Sequence, residues 1–208
     1  MEQESLLRWA VLVGVAALLP IGIYHRAKSQ STGEPLDRRQ EGLFILATLR
    51  PLGAACWLGL LAWLIEPRWM AWSSVPLPIA LRWTGISLLA AAAALVFWTF
   101  RSLGANLTDT VVTRREHTLV VHGPYRWVRH PFYDAAALLV LGTSLVAANW
   151  FLLASGMLAV SLLIARTRIE ERNLVGRFGV GYQTYMAQTG RFWPRYAPRR
   201  ARPERSAR

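Results

Sequence analysis

Residues 131–165 read PFYDAAALLVLGTSLVAANWFLLASGMLAVSLLIA, two apolar runs that are separated only by Ala148, Asn149 and Trp150. Such a short interruption predicts two antiparallel helices joined by a tight turn. The first run, Tyr133–Ala147, is expected to begin near Pro131, because proline suits the first turn of a helix. The second run is Phe151–Ala165, and both are short for membrane spans. We therefore predict a tight helical hairpin.

Three longer apolar runs precede this hairpin. They are Leu6–Tyr24, Leu43–Ile65 and Ile79–Phe100. Each is about as long as the roughly 20 residues that a spanning helix needs. The whole chain is 53% apolar and 17% charged, whereas soluble domains average roughly 25% charged residues. This composition excludes a disordered chain. The sequence predicts an all-α integral membrane protein with about five transmembrane helices.

The charge distribution predicts the orientation of these helices. The chain has 24 Lys and Arg against 12 Asp and Glu, a net charge of +12. Four basic residues lie in the first loop, five between Arg101 and Arg129, and eleven from Arg166 onward, whereas Arg68 alone lies in a loop on the opposite side. Positively charged loops remain in the cytoplasm. We expect the protein in the cytoplasmic membrane with its N-terminus outside and its C-terminus inside, and no nucleic-acid partner.

The pattern divides the chain into three parts. Residues 1–100 are predicted to form three N-terminal transmembrane helices, and residues 101–194 form the core that carries the chemistry. Residues 195–208 are Arg- and Pro-rich and are predicted to be a disordered tail. The single cysteine, Cys56, excludes an intramolecular disulfide. The first apolar run follows two glutamates rather than basic residues, so we expect a retained span and not a signal peptide.

Two cytoplasmic segments are unusually rich in residues that bind ligands. In residues 117–133, a Gly-Pro turn leads to Arg129, His130 and Tyr133 at the start of the fourth span, where the helix dipole attracts anions. In the segment after the fifth span, Arg166 and Glu170 are four residues apart and share one face of a helix. An acid and a base at that position can hold a zwitterion. The two segments together predict a binding site at the cytoplasmic face.

These residues resemble the integral-membrane S-adenosylmethionine-dependent methyltransferases, the family that includes isoprenylcysteine carboxyl methyltransferase and bacterial phospholipid methyltransferases. The resemblance extends from about residue 101 to residue 194. Its motifs occur in order as His117–Val120, Gly123–Tyr125, Arg129–Tyr133, Arg166, Glu170 with Glu171, and Phe178–Tyr182.

The resemblance implies a cytoplasmic cofactor pocket covered by the C-terminal helix, with S-adenosylmethionine as the cofactor and a lipid-like or prenylated substrate that enters between the helices. It implies that Arg166 holds the anionic group of the substrate, and that Arg166 and Arg129 belong to the catalytic set. The residues expected to bind the cofactor are His117, Thr118, Leu119, Val120, Tyr125, His130, Pro131, Phe132, Tyr133 and Glu170.

The chemistry of methyl transfer leaves the acceptor open. Proximity and alignment supply most of the rate of such a displacement, and no metal is needed. A carboxylate acceptor is already ionised and needs no base, whereas an amine must lose a proton to His130, Glu171 or Tyr133. Many relatives have a glycine shortly after the tyrosine at position 133, where this chain has Asp134 and Ala135. This departure bears on the substrate rather than on the fold.

We expect carboxyl O-methylation of an isoprenylcysteine-like substrate, and three alternatives remain. A phospholipid amine N-methyltransferase uses the same cofactor. Membrane sterol and isoprenoid reductases share the Arg-His-Pro-x-Tyr motif but bind NADPH, and they generally have more spans. A non-enzymatic lipid-binding protein is the third alternative. The four histidines have no zinc-binding spacing, so we expect no metal; membrane lipids are the remaining partner.

Overall fold

The computed structural model describes residues 2–30, 43–104 and 118–195. The described chain forms six α-helices, with a 3-10 helix at Pro67–Ser73 between the second and third and a 3-10 turn at Gly123–Arg126 before the fourth. The helices are α1 (Glu2–Gln30), α2 (Leu43–Ile65), α3 (Ile79–Leu103), α4 (Pro131–Ala147), α5 (Trp150–Phe178) and α6 (Val180–Gln188).

The predicted all-α membrane fold is confirmed. Helices α1, α2, α3 and α5 are long and apolar enough to cross a membrane, and α4 is a shorter apolar helix. The hairpin is also confirmed: α4 begins at Pro131, and Ala148 turns the chain with a left-handed backbone at φ 49°. The Asn149 side chain accepts the first hydrogen bond of α5 from the Leu152 N–H at 3.1 Å.

The second member of the hairpin continues without a break past its apolar run to Phe178, so Arg166 and Glu170 lie on one helix, as their spacing predicts. The polar residues 166–175 contain no glycine or proline and include a pairing of Arg166 with Glu170 one turn apart, so helix formation continues past the apolar run. Gly179, at φ 54°, ends the helix. Consequently α5 carries both glutamates of the site on one rigid element.

The ends of the helices opposite the site are held together by buried polar contacts. The Asn149 amide donates to Ser73 Oγ at 2.7 Å and to the Met70 carbonyl at 3.3 Å. Arg82 donates to the Val146 carbonyl at 2.7 and 2.9 Å and pairs with Glu4 at 2.6 Å. Arg8 donates to the Leu64 carbonyl at 2.5 Å. These arginines satisfy C-terminal carbonyl groups of α4 and α2 that have no partner within their own helix.

Helices α3 and α4 approach each other most closely at glycines. A Cβ atom on Gly85 would lie 2.8 Å from the Gly142 carbonyl oxygen, and a Cβ atom on Gly142 would lie 2.9 Å from that of Gly85. Small residues permit such close contact between membrane helices. This contact fixes α4, and with it the start of α4 where the site lies, against α3.

The glycine contact generates a stability prediction. Gly85→Ala places a methyl group against backbone, so we expect a loss of about 1–3 kcal/mol in the free energy of unfolding. The matched control is Gly53→Ala, because a Cβ atom at Gly53 meets nothing within 4 Å. Unfolding in detergent, followed by tryptophan fluorescence, measures both variants. Equal stability of the two would contradict the packing described here.

Candidate active site

The segment before α4 is fixed against the end of α3. Gly123 has φ 63°, and a Cβ atom there would lie 2.1 Å from Ser102 Oγ and 3.3 Å from Trp98 Nε1. The Trp127 ring packs edge-on against Trp98 at 5.3 Å, and the Arg126 guanidinium lies 3.8 Å from the Trp127 ring centre. Only glycine fits this position without strain. The contact directs the following residues, 128–130, toward the start of α4.

His130 lies between the two adjacent glutamates of α5. Its Nδ1 is 3.6 Å from Glu170 Oε2, and its Nε2 is 3.3 Å from Glu171 Oε1. The imidazole stacks on Tyr133 at 5.4 Å with an angle of 8° between the ring planes. His130 is buried, with 8% of its surface exposed. A buried imidazole between two carboxylates has its orientation fixed from both sides.

Glu170 is the centre of one group of polar side chains. The Tyr133 hydroxyl donates to Glu170 Oε1 at 2.5 Å, and Arg166 donates to the same oxygen from Nε at 3.0 Å and from Nη2 at 2.9 Å. Arg166 Nη2 also donates to the Tyr133 hydroxyl oxygen at 3.3 Å. Glu170 Oε2, at 3.6 Å from the imidazole, is too far for a hydrogen bond and keeps acceptor capacity.

Glu171 is the centre of a second group of polar side chains. Arg129 Nε donates to Glu171 Oε1 at 2.9 Å, and Arg191 donates to both carboxylate oxygens, to Oε1 from Nε at 3.2 Å and to Oε2 from Nη2. Arg129 also donates to the carbonyls of Met186, at 3.2 Å, and Thr189. These side chains are largely buried: 5% of Glu171 and 8% of Arg129 is exposed. The carboxylate is neutralised by two guanidinium groups, as buried charges require.

The chain returns to the site after α6. The C-terminal segment, residues 189–192, runs beside residues 128–130: Arg129 N–H donates to the Gly190 carbonyl at 2.9 Å, and His130 N–H donates to the Arg191 carbonyl at 3.1 Å. The Tyr185 hydroxyl donates to the Tyr125 carbonyl at 2.6 Å. Burial raises the pKa of Tyr125, Tyr182 and Tyr185, so the three hydroxyls remain protonated at neutral pH.

Aromatic rings surround the histidine. Phe192 of the C-terminal segment packs at a tilt against the imidazole, with 5.8 Å between ring centres. Phe132 stacks on Phe100 of α3 at 5.7 Å and is 39% exposed. The site therefore combines a carboxylate that has acceptor capacity, guanidinium groups that are paired with Glu170 and Glu171, and apolar aromatic side chains. Such a combination suits a ligand that is both charged and aromatic.

The structure brings together most of the predicted residues. Arg129, His130, Tyr133, Arg166 and Glu170 form one connected group. Pro131 is buried at the start of α4, and Phe132 and Tyr125 flank the group. Thr118, exposed, and the half-buried Leu119 and Val120 lie on the segment leading to the Gly123 turn. His117 lies outside the described residues.

The Arg129 guanidinium donates to Glu171 and to two backbone carbonyls, and its membership of the catalytic set stays a prediction. Sequence reasoning did not single out Arg191 or Phe192. The carboxylate that Arg191 binds lies 20 residues earlier in the chain, and the His130 ring that Phe192 contacts lies 62 residues earlier. An arginine near an Arg-rich tail has no pattern that distinguishes it.

Among the residues that the structure describes, no group of three His, Cys, Asp or Glu side chains is arranged to hold a metal ion. The predicted tail, residues 195–208, lies outside the described residues except for Arg195.

Residues 80–180 match the model of the phospholipid methyltransferase family. The chain is 33% identical over 90 residues to a protein-S-isoprenylcysteine O-methyltransferase of Tribolium castaneum. The aligned segment covers 42% of this chain and 32% of the relative. Its fold is similar to a solved eukaryotic intramembrane Ras methyltransferase, an isoprenylcysteine carboxyl methyltransferase, with a TM-score of 0.54, 20% identity, and coverage of 92% of this chain and 63% of the other.

These matches confirm the resemblance that the motifs indicated, and residues 80–180 are the part of the chain that is similar to the phospholipid methyltransferase family. The segment contains α4, most of α3 and nearly all of the charged groups described above. The chain spans about a third of the length of the insect relative and just under two thirds of the solved chain. The likeness to the solved structure shows the fold.

The Glu171 group generates a stability prediction. Glu171→Leu leaves Arg129 buried without its carboxylate, and we expect a cost of about 3–5 kcal/mol in the free energy of unfolding. Adding Arg129→Leu should recover part of that loss, because the double variant no longer buries an unpaired charge. Arg172→Leu, at an exposed neighbouring position, is the control. Strictly additive losses in thermal unfolding experiments would contradict the pairing.

Proposed function

We propose that this chain is a membrane-embedded methyltransferase that uses S-adenosylmethionine to methylate the carboxylate of an isoprenylcysteine-like substrate. The observation that carries the proposal is the connected group of Tyr133, Glu170, Arg166 and His130 at one end of the helical hairpin. This group lies within the segment that matches a methyltransferase family. The two similar proteins are an isoprenylcysteine O-methyltransferase and an isoprenylcysteine carboxyl methyltransferase.

The donor set fits this cofactor. S-adenosylmethionine supplies an electrophilic methyl group on a sulfonium, and it also carries an ammonium, a carboxylate and an aromatic base. Glu170 Oε2 has the acceptor capacity to hold a cationic group. The exposed ring of Phe132 offers an apolar surface for an aromatic one. Glu170, His130, Tyr133 and Phe132 are therefore the residues that would hold the cofactor.

Arg166 is the residue that we assign to the acceptor. It is buried, with 9% of its surface exposed, and a guanidinium has five N–H donors, so it can contribute to holding a carboxylate acceptor while it also binds Glu170. A carboxylate acceptor is ionised at neutral pH and needs no general base. The site then has to bind and orient the cofactor and the acceptor and to exclude water. The alignment of the two reacting groups alone can supply much of the rate.

Phospholipid amine methylation is the second candidate. The description of the matching family model favours it, and Asp134, a half-buried acid in the first turn of α4, is a group that attracts a cationic acceptor. Such an acceptor needs a base, for which His130, Glu171 and Tyr133 are the candidates. The relatives reported above are all methyltransferases, so we do not propose the reductase or the non-enzymatic alternative.

The proposed orientation places the site in the cytoplasm and the N-terminus outside. Arg101, Arg126, Arg168, Arg172 and Arg177 lie at the end of the helices that carries the site. The positive-inside rule assigns that end to the cytoplasmic face, where both the cofactor and prenylated substrates are accessible.

Cofactor binding tests the proposal without an acceptor. We expect detergent-purified protein to bind S-adenosylmethionine and S-adenosylhomocysteine in calorimetry, and not NADPH. Loss of a charge-assisted contact in Glu170→Ala, or of the imidazole in His130→Ala, should weaken binding by about 10- to 100-fold. The control is Arg168→Ala, an exposed arginine on the same helix. Full affinity in both site variants would remove these assignments.

The identity of the acceptor has its own test. Protein incubated with radiolabelled cofactor and either N-acetylated farnesylcysteine or phosphatidylethanolamine should label the farnesylcysteine. The label should be released as methanol by mild alkali, because a methyl ester is base-labile and an N-methyl group is not. Arg166→Lys, which keeps a positive charge beside Glu170 but not the planar guanidinium, should impair this transfer while it retains most of the cofactor affinity. Alkali-stable label on the phospholipid would establish the second candidate instead.

A further inference from the structure

The C-terminal segment, residues 189–192, lies beyond the part of the chain that matches the family model, which ends at residue 180. It nevertheless contacts the centre of the site. Its backbone pairs with residues 129 and 130, Thr189 is buried, and Phe192 packs against the His130 ring. The segment therefore completes the surroundings of the histidine, although no match assigns it a function.

Arg191 makes the strongest contact of this segment. Its guanidinium donates to both oxygens of Glu171 in a forked arrangement, the geometry in which arginine binds carboxylates most firmly. The other donors to Glu171, Arg129 and His130, both reach Oε1. Arg191 is thus the group that holds Oε2 and prevents the carboxylate from turning.

The orientation of Glu171 determines the state of His130. An ionised carboxylate oxygen 3.3 Å from Nε2 accepts a hydrogen bond from the N–H at that position and so favours the tautomer with the hydrogen on Nε2. The other ring nitrogen, Nδ1, then faces Glu170 Oε2, the oxygen that has acceptor capacity for the cofactor. The effect of Arg191 is therefore transmitted through two side chains to the proposed binding position.

We propose that Arg191 is a positioning residue of the active site: by fixing Glu171, it fixes the tautomer and orientation of His130 and so prepares Glu170 for the cofactor. The consequence for cofactor binding rests on the proposed function, whereas the effect on His130 does not. The C-terminal segment must accordingly be docked for the site to bind its ligand.

The variants Arg191→Ala and Arg191→Lys test this role, with Arg195→Ala as the matched control. Arg195 is an exposed arginine four residues on that contacts one backbone carbonyl at 3.3 Å. We expect affinity for S-adenosylhomocysteine to fall about 10-fold or more in Arg191→Ala, with a smaller loss in Arg191→Lys, which keeps the charge but not the fork. Added guanidinium should restore the affinity of Arg191→Ala, because Arg191 is partly exposed.

The histidine supplies a readout that general loss of stability does not move. In protein with ¹⁵N-labelled imidazoles, the His130 signal, assigned by its absence in His130→Gln, should show one tautomer with the proton on Nε2. In Arg191→Ala the His130 signal should change to that of a mixture of the two tautomers. In Arg191→Lys, where we expect the fold to be retained, the same change should be smaller. An unchanged His130 signal in Arg191→Ala, or wild-type affinity in that variant, would overturn the proposal. If wild-type protein binds no adenosyl compound, the proposed function is wrong, while the imidazole signal still decides the role of Arg191.

Discussion

The site depends on the contact of one histidine, His130, with two adjacent glutamates of the same helix. Neighbouring residues on a helix point about 100° apart, so Glu170 and Glu171 face different partners. Glu170 contacts Tyr133 and Arg166, and Glu171 contacts Arg129 and Arg191. Because both glutamates flank the imidazole of His130, one ring connects two charged groups that would each be costly if buried alone. The helix must extend beyond its apolar run for both to reach the histidine, and α5 does so.

The rest of the fold keeps α4 and α5 in register. At the far end, Arg82 and Asn149 join the hairpin to α3 and to the 3-10 helix, and in the middle the Gly85 contact sets the distance between α3 and α4. A similar close contact occurs between α4 and α5, where a Cβ atom on Gly156 would lie 2.6 Å from Val140. Within a membrane, where water cannot satisfy polar groups, such contacts rather than hydrophobic burial distinguish one helix arrangement from another. The site is thereby built on rigid elements and completed by two irregular segments.

The sequence predicted the features that depend on local pattern. Apolar length predicted the spans, Pro131 marked the start of α4, and the spacing of Arg166 and Glu170 predicted their shared face, which their ion pair now shows. Features that depend on contact between distant segments were not predictable. The end of α5 at Phe178 was not predicted, because an apolar run marks only the apolar part of a helix. Arg191 was missed because nothing near residue 191 reveals that residues 128–130 lie beside it. The contacts of Arg129 with Glu171 and with the carbonyl of Thr189 could not be predicted either, because they join distant segments.

An experimental structure of the purified protein with S-adenosylhomocysteine would show whether Glu170, Tyr133 and His130 form the proposed cofactor site. We expect the ligand beside these residues at the start of α4, with Glu170 within hydrogen-bond distance of the ligand and the C-terminal segment docked on His130. Binding of the ligand at another place, with the contacts of Glu170 to Tyr133 and Arg166 unaltered and remote from it, would show that these residues are not the cofactor site.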